Sequence, residues 1–126
     1  MGRPPRSALG LAAVLGVAGL LHFAAPTPYQ RIVPRPLARW SGPVVALSGA
    51  AELACAGLIL NRRTRRAGGL ATAALLVAVF PANVQMALDG GYADAPFPAN
   101  SAVAAWLRLP LQAPLIYWAL RVAGEA

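Results

Sequence analysis

The chain has 126 residues, 58% of them hydrophobic, with only 12% charged and a mean hydropathy of +0.56. Such a composition excludes an ordinary soluble domain and points to a membrane protein. The formal charge of +7 comes from arginine alone, without lysine; these arginines stand between apolar runs, as helix flanks do, which argues against a nucleic-acid partner.

After a short basic head, Met1 to Arg6, residues 7–25 form the first apolar run. About nineteen residues at about 1.5 Å each come close to spanning a hydrocarbon core of about 30 Å. Cleavage after Ala25 would put Phe23 at the minus-three position and Pro26 just beyond the cut, so a retained helix is expected rather than a leader. Gly10, Gly16 and Gly19, with Ala12, supply small faces for close helix packing.

Residues 26–42 carry Pro26, Pro28, Pro34 and Pro36, which interrupt a continuing helix, together with Tyr29, Arg31, Arg35, Arg39 and Trp40. Aromatics and arginines of this kind suit the headgroup level, and the segment reads as a loop of fixed shape in preference to a binding lid. The second span, residues 43–60, has Glu52 at its middle. A carboxylate at bilayer depth costs roughly 2.5–3.5 kcal/mol on insertion scales, so Glu52 is expected to face other helices and to mark a site.

Residues 61–66, Asn-Arg-Arg-Thr-Arg-Arg, form a tight basic turn that closes an antiparallel hairpin and sets topology. The third span, residues 67–88, contains Pro81, which frees the carbonyl of Val77 and predicts a kink. Residues 89–100 form a turn-rich connector. In the fourth span, residues 101–122, Arg108 and Gln112 lie one turn apart on one face, and Trp106, Tyr117 and Trp118 are interface anchors. The expected fold is a single domain over residues 1–126, an all-α, antiparallel four-helix transmembrane bundle with the lipid bilayer as its surroundings. Arg3, Arg6, Arg62, Arg63, Arg65, Arg66 and Arg121 fall on one side of it and Arg31, Arg35 and Arg39 on the other. Both termini are therefore expected in the cytoplasm.

Counting depth along each span, the polar residues His22, Ser48, Glu52, Asn83, Gln85, Arg108 and Gln112 converge on the outer half. Glu52 and Arg108 are expected to face each other, because an unpaired charge there is costly. They form either an ion pair that fixes helix register or part of a polar pocket open to the outer face. In that pocket Glu52 titrates or binds a headgroup, His22 shuttles a proton, and Arg108 attracts an anion or a quinone carbonyl. The lone Cys55 excludes an intrachain disulfide, and His22 has no neighbour at metal-ligand spacing. No metal and no intrinsic cofactor are expected.

The runs LLHFAAPTPYQRIVP, SGAAEL, PANVQMAL and RLPLQAPLIYWALRV resemble the small DoxX-like membrane proteins, over roughly residues 11–122. The matching positions are His22, Pro26, Pro34, Gly49, Glu52, Pro81, Asn83, Arg108, Pro110 and Gln112. The resemblance implies a compact bundle in a bacterial inner membrane. It also implies a membrane subunit or quinone-facing partner of a redox system, working with a soluble or membrane oxidoreductase. The absence of a cysteine pair sets dithiol exchange aside. Two other functions fit the residues: a carrier or binding protein for a small or lipid-like ligand in the outer pocket, and a structural anchor. The glycine faces would also serve a homo-oligomer.

Overall fold

The computed structural model describes residues 4–31, 33–90 and 101–125, and all regular structure among them is helical. In chain order the elements are α1 (Arg6–Ala24), α2 (Pro26–Arg31), the 3₁₀ helix η1 (Arg35–Trp40), α3 (Ser41–Leu60), α4 (Arg65–Leu88) and α5 (Ala102–Ala123). The connector expected at residues 89–100 lies outside the described residues from 91 onward.

The four long helices are apolar on their outward faces as well as their inward ones. Val17, Leu47, Val77 and Val103 are each 60% exposed or more. A helix apolar all round is stable where both its faces meet nonpolar surroundings. Among the described residues, three segments are long and apolar enough to cross a membrane: Arg6–Ala24, Arg35–Leu60 taken through η1, and Arg65–Leu88. The fourth long helix, α5, has the length but is not among them. It carries Arg108, Gln112 and Arg121, with Pro110 and Pro114 inside it.

The proline-rich segment after α1 is not a loop. Ala25 breaks the first helix with φ −139° and ψ 68°, and Pro26 then starts α2. Pro36 stands in the first turn of η1. Proline lacks an N–H that a first turn does not use, and its fixed φ suits that position, so the same residues that stop one helix begin the next.

Between α3 and α4 the turn is tighter and less solvated than its charges suggest. Thr64 Oγ1 donates to the Leu58 carbonyl at 2.7 Å and Arg65 Nε to the Ile59 carbonyl at 2.8 Å. Arg65 is only 4% exposed. It therefore satisfies carbonyls that the end of α3 leaves without helical donors, and only the other arginines of the turn remain as solvated charges.

Neighbouring helices run antiparallel. On α4 and α5, Gly69 lies against Ala119 and Ala123, Leu76 meets Gln112, and Met86 and Ala87 pack with Ala105. On α1 and α3 the crossing is at Gly19 and Gly49, where a Cβ on Gly49 would lie 2.6 Å from the His22 Cβ. Between α1 and α5, Trp118 Nε1 donates to the Ser7 carbonyl and hydroxyl, both at 3.1 Å, and its ring covers Gly10. Trp118 thus joins two helices, whereas Trp106 and Tyr117 are exposed.

The core is unequal along its length. At the end that holds the α3–α4 turn, all four long helices share one apolar cluster, with Leu11, Ile59, Ala73 and Val122 among its members. At the opposite end the buried cluster involves only α4 and α5, through Met86, Ala87 and Ala105. The pair α1–α3 and the pair α4–α5 are joined at the turn end, and toward the other end a cavity lies between them.

Candidate functional site

The cavity has a volume of about 300 Å³ and is walled by every helix described above. Apolar side chains make most of its surface: Leu11, Val14 and Leu15 from α1, Val44 and Val45 from α3, Leu76 and Val79 from α4, and Leu115 from α5. Tyr29 from α2 and Leu37 from η1 also line it, so the segment after α1 roofs the cavity. Arg35 of η1 reaches Asp89, at the end of α4, with Nη2 to Oδ1 at 4.0 Å.

His22 sits in the last turn of α1, where its Cβ occupies the space that Gly49 leaves by having no side chain. Its Nδ1 is 2.6 Å from the Ala18 carbonyl. A carbonyl only accepts, so Nδ1 is assigned the proton and donates it there. The same nitrogen is 3.4 Å from Glu52 Oε2. Tyr29 stacks on the imidazole, with ring centroids 3.9 Å apart and planes 20° from parallel.

Glu52 projects from the middle of α3 one turn beyond Ser48, and both line the cavity. Its Oε2 is sealed from solvent and accepts no hydrogen bond in the structure described. An acceptor buried without a donor costs about 1–3 kcal/mol, so a group in that state needs an explanation.

Arg108 and Gln112 enter from α5 and Asn83 from α4. Gln112 Nε2 donates to the Leu76 carbonyl at 2.7 Å, which ties α5 to α4 beside the cavity. This carbonyl adjoins the one expected to need a partner, that of Val77; the helix continues through Pro81, and Val77 itself faces outward.

Glu52 and Arg108 both line the cavity, from α3 and α5, but no ion pair joins them among the described residues. The close partner of Glu52 is instead His22, whose Nδ1 lies 3.4 Å from Oε2. Packing explains the exchange: α1 lies directly on α3, whereas α5 lies on α4, across the cavity. Of the seven polar positions read from the sequence, His22, Ser48, Glu52, Asn83, Arg108 and Gln112 stand on the cavity wall and Gln85 does not. Gln85 Nε2 donates to Asp89 Oδ1 at 3.0 Å on the exposed end of α4. Two residues along a helix are about 200° apart, so Gln85 faces away from Asn83. Sequence reasoning left Tyr29 at a headgroup surface, because nothing local to it shows that the chain doubles back over His22.

The arrangement provides an apolar chamber with one carboxyl, one imidazole and one guanidinium, enough to orient a small amphipathic molecule by its head. The model of a family described as a domain of unknown function (DUF8561) matches residues 11–123. No curated protein and no solved structure matches the chain.

Proposed function

We propose that this chain, which belongs to the DUF8561 family, is an integral membrane protein whose four long helices cross the bilayer as an antiparallel bundle and hold a membrane-soluble small molecule between them. The observation that carries this reading is the cavity: about 300 Å³, largely apolar, with Glu52, His22 and Arg108 on its walls. Ligand sites of small molecules have this make-up, an apolar lining with a few polar groups that fix orientation. Ionisable residues in membrane helices are costly and are retained chiefly where they serve a ligand or ion. In this reading α5 is the fourth span, accepted through its packing on α4, and the cavity opens in the half of the bilayer remote from the α3–α4 turn. The arginine distribution supports a cytoplasmic turn and cytoplasmic termini, in a bacterial inner membrane.

The DoxX-like resemblance favours a more particular version, in which the ligand is a quinone and the protein is the membrane subunit or partner of an oxidoreductase. Purification of the full chain in mild detergent, with identification of bound lipids, quinones and proteins by mass spectrometry, tests both. A bound amphipathic molecule, lost when Leu76 is changed to Trp to fill the cavity, supports the ligand site. A co-purifying oxidoreductase with a quinone supports the redox version. A chain that comes away with nothing bound, and that takes up neither lipids nor quinones when they are added back, leaves a structural anchor as the better account.

A further inference from the structure

The two ends of the bundle treat their arginines differently. Away from the α3–α4 turn, Arg35 reaches Asp89 and Arg39 lies over the Trp40 ring, 5.0 Å from its centroid. At the turn end, Arg6 opens α1, Arg62, Arg63 and Arg66 surround the turn, and Arg121 stands in the last turn of α5. All five are exposed, and none of their guanidiniums forms an ion pair or a hydrogen bond among the described residues. Neither α1 nor α4 has an acidic residue in its first turn, where a helix dipole favours an anion and opposes Arg6 and Arg66. The described part of the chain therefore supplies this end with charge and no counter-charge in contact with it.

What lies below those arginines indicates the kind of anion. Leu9 is three residues beyond Arg6, Leu70 four beyond Arg66, and Tyr117 four before Arg121. Each spacing puts the two side chains on one helix face, with the apolar one nearer the middle of the bundle. Leu9, Leu70 and Tyr117 are 42%, 47% and 64% exposed. A phospholipid has the same order, an anionic phosphate above and hydrocarbon below, and the guanidinium fork matches phosphate oxygens. A nucleic acid or an acidic protein would use the charges but not the apolar side chains beneath them.

We propose that the turn end of the chain binds anionic phospholipids in preference to zwitterionic ones, the headgroup on the arginines and the acyl chains along Leu9, Leu70 and Tyr117. This rests on the reading of the chain as a membrane bundle and is independent of the cavity.

The test uses the full chain in mild detergent, which removes orientation as a variable, with dioleoylphosphatidylglycerol and dioleoylphosphatidylcholine added in equal amounts and the retained lipids counted by native mass spectrometry. The glycerol lipid is expected to be retained at least about fivefold over the choline lipid, in a ratio that falls as sodium chloride is raised. Arg63→Gln with Arg66→Gln is expected to bring the ratio near one, and Arg121→Gln alone, on another helix, to lower it in part. Arg35→Gln with Arg39→Gln removes equal charge from the opposite end and is expected to leave the ratio unchanged. Sodium phosphate at matched ionic strength should compete no better than sodium chloride; strong displacement by it would overturn the lipid assignment in favour of a free phosphate. Equal retention of the two lipids, or a preference that survives at the turn and is lost with Arg35 and Arg39, overturns the proposal and leaves the bundle and its cavity standing. Retention of neither lipid overturns the proposal and counts against the membrane reading as well.

Discussion

Arg65 shows how much a single side chain can depart from the run it belongs to. Its guanidinium lies under the end of α3, with Nε 2.8 Å from the Ile59 carbonyl and one Nη 3.5 Å from that of Leu60, while Arg62, Arg63 and Arg66 are exposed. Arg65→Met keeps the bulk and removes the donors, leaving buried carbonyls unmet. A loss of about 1–3 kcal/mol is expected, seen as a lowered melting temperature in detergent, against little change for Arg63→Ala. An equal response from the two variants would contradict the capping role. The sequence marked this run as basic, and correctly so for the exposed arginines, but composition does not distinguish a charge in water from one folded under a helix end. The same limit applies at Glu52. Depth along each span was enough to expect His22, Glu52 and Arg108 in the same half of the bundle, and all three line the cavity, whereas the choice of partner depends on which helix lies against which. Gln85 is different, since its angle from Asn83 follows from helix geometry alone.

At the level of elements, glycines that look alike in sequence do unlike things. A Cβ on Gly49 would come within 2.6 Å of the His22 Cβ and 2.9 Å of the Phe23 ring, whereas one on Gly16 would meet nothing within 4 Å. Gly49→Ala is therefore expected to destabilise by about 1–3 kcal/mol through forced separation of α1 and α3. Gly16→Ala should be neutral or slightly stabilising, through helix propensity. Thermal unfolding of the two variants side by side checks this; a tolerated Gly49→Ala would mean that the crossing is looser than described. If the cavity holds a ligand as proposed, Gly49→Ala should also weaken its binding, because His22 on the cavity wall is carried by the same crossing. The long apolar runs made α1, α3 and α4 legible to within a few residues at each boundary. The prolines of residues 26–36 were read only as breakers, because the competing rule, that proline favours a helix's first turn, needs the direction in which the chain continues.

For the whole molecule, orientation and packing make separate claims. If the proposed orientation holds, with both termini and the turn cytoplasmic, reporter fusions at either end should be active only as cytoplasmic reporters, and a cysteine at position 62 should label only in inverted vesicles. Replacing Arg62, Arg63 and Arg66 with glutamine should produce a mixed orientation, since these are the solvated charges of the turn. A fixed orientation in that triple variant would show that other residues decide it. The helical fold and its apolar exterior could be read from hydropathy; the cavity could not, because it depends on where the shared core stops. Among the described residues the apolar cluster shared by all four long helices lies at the turn end, so the two helix pairs are expected to pivot there like the jaws of a clothes-peg. Extra bulk at the spring, as in Ala119→Leu, should widen the mouth some distance away, a change that spin labels on the outer ends of α1 and α5 would register as a longer separation. Affinity for whatever the jaws grip can thus be tuned from a position that never meets it.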